Sequence, residues 1–106
     1  MLKHMLTIGA LALIGVGAAQ AATPDEAMTK AACTACHTKD KKVVGPAFKD
    51  VAAKYKGDKE AVAKLTEKVR KGGAGVWGPI PMPPNPADKI SEGDLKAVVE
   101  QILKTQ

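Results

Sequence analysis

The chain has 106 residues, 45% of them hydrophobic, and its 16 basic and 11 acidic residues give a formal charge of +5. That length holds one small domain, and two cysteines in total leave no second pair for a four-ligand structural zinc site. The lysines are scattered between acids rather than grouped, so the basic balance does not make a nucleic-acid or membrane-surface binder.

The amino terminus reads as a secretory signal peptide. Met1 to about Ala21 opens with Lys3 and His4, runs apolar from Met5 through Ala19, and ends in the small-residue cleavage signature Ala19-Gln20-Ala21. The apolar run is shorter than the roughly 20 residues that a spanning helix needs, so residues 1–21 are expected to be cleaved and residues 22–106 to form the mature domain. Cleavage removes His4, Met1 and Met5, which leaves His37 as the single histidine and Met28 and Met82 as the only thioethers. About 85 residues is marginal for a core of side chains alone. With one Trp, one Tyr and one Phe, the mature chain calls for a buried cofactor to supply the missing apolar mass.

Thr23-Pro24-Asp25-Glu26 has the form of a capping box with proline at the first helical position. It predicts a helix from about Pro24 to Cys36, with Met28 in a packing role. The last turn of that helix delivers Cys33-Thr34-Ala35-Cys36-His37, which reads as a covalent haem attachment site. Two cysteines three apart lie on one face of a helical turn and can both reach the vinyl groups on one porphyrin edge. The histidine that follows projects a neutral imidazole under the iron. A thioredoxin-like redox pair would need a βαβ scaffold, for which no strand alternation is present. A structural disulfide is awkward at this spacing inside a helix and leaves His37 without a role.

Thr38 to Val44 is lysine-rich and aperiodic, a loop. In Gly45-Pro46-Ala47-Phe48, proline keeps the chain extended with its carbonyl free. Two readings stand side by side: the Pro46 carbonyl accepts from His37 Nδ1, or the segment is a plain turn before a helix. A short helix is predicted from Ala47 to about Tyr55, with Phe48 either against a porphyrin or in an ordinary core. Gly57 breaks the chain and Asp58 caps a third helix to about Lys71, with Ala61, Val62, Leu65 and Val69 on its apolar face. Lys68, Arg70 and Lys71 at its carboxyl end suit the helix dipole, and one of them could pair with a haem propionate.

Gly73 to Asp88 reads GAGVWGPIPMPPNPAD, which excludes a regular helix or a central strand. A stiff loop of this length in a small domain is functional as a rule. It presents Met82 rigidly, as a weak thioether ligand of iron requires. Asn85 lies close enough in sequence to hydrogen-bond the sulfur. Trp77 can offer its indole N–H to a propionate. A final helix is predicted from Ser91 to about Lys104, with Leu95, Val98, Val99 and Ile102 on one face, packed across the first helix at Ala27 and Ala31.

The motifs C-T-A-C-H, G-P-A-F and G-V-W-G-P-I-P-M-P-P-N, in this order, resemble those of the small bacterial class I mono-haem cytochromes c, over essentially the whole mature chain. The resemblance implies an all-α class I cytochrome c fold of about four helices around one haem c, attached to Cys33 and Cys36. It further implies axial His37 and Met82, the Pro46 carbonyl on the histidine, Trp77 near a propionate, and Asn85 supporting the methionine sulfur. Members often carry arginine where Lys68 stands, and lysine cannot make the same two-pronged propionate contact.

Both axial positions filled by protein imply single-electron transfer between respiratory redox proteins in the periplasm rather than turnover. The expected donor is of the quinol–cytochrome c reductase type and the expected acceptor a nitrite reductase or terminal oxidase. Docking is expected to be transient, at an exposed haem edge with an apolar patch of Val76, Gly78, Pro79, Ile80 and Pro81 inside a rim of lysines, by a monomer. The alternative is a haem-based gas sensor or peroxidase-like enzyme from which Met82 dissociates.

Overall fold

A computed structural model describes residues 22–106; the expected signal peptide lies outside the described residues. The elements in chain order are α1 (Pro24–Lys30), a 3₁₀ turn (Cys33–Ala35), α2 (Phe48–Lys54), α3 (Ala61–Lys71), β1 (Gly73–Gly75), β2 (Gly78–Met82) and α4 (Glu92–Leu103). Among the described residues the fold is therefore four helices with one small ribbon. No helix among the described residues is long and apolar enough to cross a membrane.

The capping signals act where the sequence places them. Thr23 accepts from the Glu26 amide at 3.2 Å, and Ser91 accepts from the Asp94 amide at 3.2 Å, so α1 and α4 each have one free amide satisfied at the start. The third helix starts two residues later than expected: Asp58 Oδ1 accepts from the Glu60 amide at 2.8 Å, Glu60 holds the cap position, and α3 proper begins at Ala61. At the other end α3 stops at Gly72, as the paired glycines predict.

α4 is the hub of the fold, packed against α1, α2 and α3. Its Leu95, Val98 and Val99 are the largest fully buried side chains among the described residues. They join Ala27 and Met28 from α1, Phe48 and Val51 from α2, Leu65 from α3, and Ile90 in a single core. Met28 is a packing residue, as expected. The α1–α4 crossing is pinned at its edge by Gln101 Nε2, which donates to Asp25 Oδ1 at 2.8 Å.

Two elements differ from the sequence expectation. The first helix ends at Lys30 rather than Cys36, because Ala32 takes a left-handed conformation (φ 60°, ψ 27°). This geometry costs an L-residue about 1–2 kcal/mol. It starts a new turn in which the Cys36 and His37 amides both donate to the Cys33 carbonyl, at 3.2 and 3.0 Å. The cysteine motif therefore keeps the helical turn its spacing requires, but on a piece separate from α1.

The second difference is the glycine- and proline-rich stretch, expected as a loop, whose first part pairs as an antiparallel ribbon. Its register joins Gly73 to Met82 and Gly75 to Gly78, with an irregularity between. Proline is tolerated because neither paired residue of β2 is a proline, and both strands are edges. The ribbon returns the chain to its starting point. Met82 thus lies beside Gly73, directly after the end of α3.

Candidate haem site

The Cys33-to-Phe48 segment folds back on itself through main-chain bonds. Gly45 N donates to Cys36 O at 2.8 Å, Phe48 N to Thr38 O at 2.8 Å, and Lys49 N to Lys39 O at 3.1 Å. This zipper brings the GPAF segment under the imidazole. His37 Nδ1 lies 2.8 Å from the Pro46 carbonyl oxygen. Since a carbonyl can only accept, Nδ1 carries the proton in the neutral ring and Nε2 keeps its lone pair for a ligand role. Of the two readings left open for Gly45-Pro46, the histidine contact is therefore the one formed. Phe48 stacks on the other part of the ring, with centroids 5.3 Å apart and planes inclined by 19°. It is buried in the core as well, the second of the two roles expected for it.

Gly45 is a site residue to which the sequence motif assigned no role. A Cβ built there would lie 2.7 Å from His37 Nδ1 and 2.9 Å from Nε2, closer than any real side-chain contact. Only the absence of a side chain lets this backbone run against the imidazole.

Cys33 and Cys36 are free thiols, each half-buried. Burial is the largest influence on the Cys33 thiol and pushes its pKa up. Among the described residues, no three histidine, cysteine or acidic side chains gather around a common point that could hold a metal ion, so Cys33, Cys36 and His37 do not form a chelate by themselves. The arrangement suits attachment of a group along an edge rather than capture of a bare ion.

Met82 is half-buried at the end of β2, and its support comes from α3. Gly72 (φ +67°) ends that helix so close to the returning chain that a Cβ would meet the Met82 carbonyl and lie 2.9 Å from Pro83 C and Pro84 N. Asn85 is buried, and its backbone amide donates to Val69 O at 3.0 Å. The expected bond from Asn85 to the methionine sulfur is not the one formed. Its Nδ2 donates to Val69 O at 3.3 Å and Pro83 O at 3.2 Å, which satisfies the two N–H groups of a buried side-chain amide. Arg70 adds a third tie: Nη1 donates to Asn85 O at 3.1 Å and Ile90 O at 2.6 Å. A cation in the last turn of a helix gave no signal of this reach.

These two supports face one apolar cavity of about 300 Å³, lined by Cys33, Cys36, His37, Pro46 and Phe48, by Lys68, and by the ribbon through Met82. Leu95, Val98 and Ile102 of α4 also line it. Trp77 and Ile80, the former 40% and the latter 58% exposed, sit on the ribbon and reach the same cavity. Lys54 of α2 places its Nζ 5.5 Å from the Trp77 ring centroid, which ties the ribbon tip to the second helix. Lys68 lines the cavity and makes no ion pair among the described residues, whereas Lys71 pairs with Glu67 at 2.7 Å. The donor set fits an iron porphyrin: two thiols near one imidazole, a thioether on the same cavity, and apolar walls where a flat macrocycle would lie.

The family model described as cytochrome c matches residues 21–106. Among curated relatives, the chain is 49% identical over 84 residues to a cytochrome c2 of Rubrivivax gelatinosus, covering 79% of this chain and 99% of the relative. It is 41% identical over 102 residues to a cytochrome c-551 of Pseudomonas aeruginosa, covering 96% and 92%. The crystal structure of wild-type Nitrosomonas europaea cytochrome c552 superposes with a TM-score of 0.72 at 45% identity, covering 77% of this chain and 99% of that one.

Proposed function

The chain belongs to the cytochrome c family, whose members bind a covalent haem c and carry electrons, and we propose that it shuttles single electrons between respiratory proteins of the periplasm. The observation that carries this reading is the convergence of Cys33, Cys36, His37 and Met82 on one apolar cavity. Cys33 and Cys36 would hold the haem through thioether bonds, and His37 Nε2 and the Met82 sulfur would be the residues that ligate its iron. Haem iron bound there supplies a one-electron Fe(III)/Fe(II) couple.

The protein's part is positional and electrostatic. The Pro46 carbonyl holds the tautomer and direction of the His37 ring. The ties from Gly72, Asn85 and Arg70 keep Met82 within reach, so the weak thioether is not lost to water. With both ligands supplied by the chain, no coordination position is left for a substrate, which separates a carrier from an enzyme. The apolar lining excludes water and disfavours the extra positive charge of the oxidised state, which raises the potential in the same direction as methionine ligation.

Partners dock at the cavity mouth, where Val76, Trp77 and Ile80 are exposed. Trp77 and Lys68 line the cavity and would be the residues to meet the haem propionates. The lysines around the patch favour acidic faces on donor and acceptor, in encounters whose rate falls with salt. The donor in this reading is one such as a quinol–cytochrome c reductase and the acceptor one such as a nitrite reductase or terminal oxidase, served by a monomer after cleavage of residues 1–21.

The test is a pair of optical spectra, oxidised and reduced, of the haem-loaded protein and its Met82→Ala variant. The expected result is a low-spin spectrum whose weak near-infrared sulfur-to-iron band disappears in the variant. A high-spin native spectrum, or a band unchanged by the substitution, would remove Met82 from the iron. Carbon monoxide binding to the reduced native protein would instead assign a sensor or peroxidase-like enzyme.

A further inference from the structure

We infer that Arg70 is a positioning residue for the axial methionine: by bonding two carbonyls of the segment that follows Met82, it sets how readily that ligand leaves iron. The inference rests on the reading of Met82 as an iron ligand and goes beyond it by naming what controls the strength of the attachment.

The geometry separates Arg70 from its neighbours. Lys68, Arg70 and Lys71 all lie in the last turn of α3, where a cation is favoured by the helix dipole whatever else it does. Lys71 turns to the surface and pairs with Glu67. Arg70 instead sends Nη1 inward to Asn85 O at 3.1 Å and Ile90 O at 2.6 Å, fifteen and twenty residues on. No carboxylate pairs with it among the described residues, so its charge strengthens both bonds to neutral carbonyls.

Both acceptors belong to the stretch between Met82 and α4. Ile90 O stands just before the Ser91 cap of α4, and Asn85 O stands three residues after Met82. One guanidinium therefore holds both ends of the connection. The other ties on this stretch are the Asn85 bonds to Val69 and Pro83 and the close pass of Gly72. These act near Met82, whereas Arg70 also reaches the far end of the stretch at Ile90, whose side chain is buried in the core beside the α4 residues. Without it, the Asn85 and Ile90 carbonyls lose their charged tie to α3, and the stretch is held by the Asn85 bonds, the Gly72 close pass, the ribbon pairing and the buried Ile90 side chain. Met82 then sits on a looser segment.

Lysine is a graded replacement. Its ammonium can donate to both carbonyls, but its side chain is one atom shorter, so it restores part of the hold. Glutamine restores neither the charge nor the length.

The experiment uses the oxidised haem-loaded protein and titrates free imidazole as the competing ligand, reading the sulfur-to-iron band. Arg70→Gln is expected to bind imidazole about tenfold more tightly than the native protein, with Arg70→Lys in between. Lys71→Gln removes the same charge from the same helix turn without touching the segment, and is expected to bind like the native protein.

Amide exchange gives a second readout. The Asn85 amide should exchange faster in Arg70→Gln while amides inside α4 keep their protection. Equal imidazole affinity in Arg70→Gln and native protein would overturn the inference, as would an equal gain in Lys71→Gln, which would make it a charge effect. Absence of the sulfur band in the native protein would instead overturn the assignment of Met82 itself. If Arg70→Gln does not fold, the same comparison with Arg70→Lys decides.

Discussion

Adding one methyl group at Gly45 should disable the histidine side of the site while leaving the rest of the fold in place. A Cβ there would stand 2.7 Å from His37 Nδ1 and 2.9 Å from Nε2, so either the imidazole or the Gly45 backbone must move by several tenths of an ångström or more. The backbone is held by its amide on Cys36 O at 2.8 Å and its carbonyl on Val43 N at 3.2 Å, and the ring by Pro46 O and Phe48. Both are constrained, so the strain is not relieved cheaply. Overpacking costs about 1–3 kcal/mol and a lost hydrogen bond about 0.5–1.5, which places Gly45→Ala at about 2–4 kcal/mol less stable. The assay is denaturant unfolding of the haem-loaded protein, followed by helicity and by the haem spectrum. Gly93→Ala is the control: it lies in α4 with nothing within 4 Å of its added carbon, and alanine there should hold or raise stability by up to about 1 kcal/mol. A Gly45→Ala protein within about 0.5 kcal/mol of the native one, with an unchanged spectrum, would refute the close-approach reasoning.

Two further outcomes test the core and the surface. Leu95→Ala opens a void where α4 meets the other helices and the cavity, and should lower stability by about 2–5 kcal/mol at an unchanged denaturant slope. Asp58 accepts from the Glu60 amide and pairs with Lys64, both at 2.8 Å, and its carboxyl is held below the ordinary range, chiefly by the Lys64 hydrogen bond. Its stabilising effect is therefore present above the unfolded-state pKa and is lost as the pH falls through the lower folded one. Asp58→Asn should flatten that acid limb in a series of melting curves while leaving the alkaline limb unchanged.

The helices, and the residues that meet at the cavity, were legible because their signals are local. A capping threonine before proline, a serine before α4, and apolar residues three and four apart act within one or two turns. The break after α1 was not legible. Ala31-Ala32-Cys33-Thr34-Ala35-Cys36 contains no glycine, proline or asparagine, and alanine is the strongest helix former, yet Ala32 turns left-handed. Five consecutive residues that must present two sulfurs and a ring outweigh a propensity worth fractions of a kcal/mol. The ribbon was hidden for the opposite reason. Prolines at 79, 81, 83 and 84 argue against a strand, and only the unbonded positions of an edge accept them. Asn85 and Arg70 show a third limit: residue type identified each as a donor, but a partner 15 or 20 residues away in sequence depends on how the ribbon returns.

The two sides of the site are held by unlike means, and this decides how each can fail. His37 is fixed by bonds that all lie between residues 33 and 49, so its support is local and closes with the attachment motif itself. Met82 depends on a chain that leaves α3, forms the ribbon, returns to Gly72 and Asn85, and is tied again at Ile90. Longer closures carry more conformational entropy and open more easily, so the methionine side is the weaker one. A disturbance of α3 or its last turn would loosen Met82 with the histidine contact and both cysteines intact. The result would be a protein that still holds its cofactor but offers an open coordination position. A carrier differs from an open-site haem protein of the same fold by the quality of the joint between α3 and residues 82–90. In this chain that joint consists of a glycine too small to clash, a buried asparagine on two carbonyls, and one arginine bridging the segment's two ends.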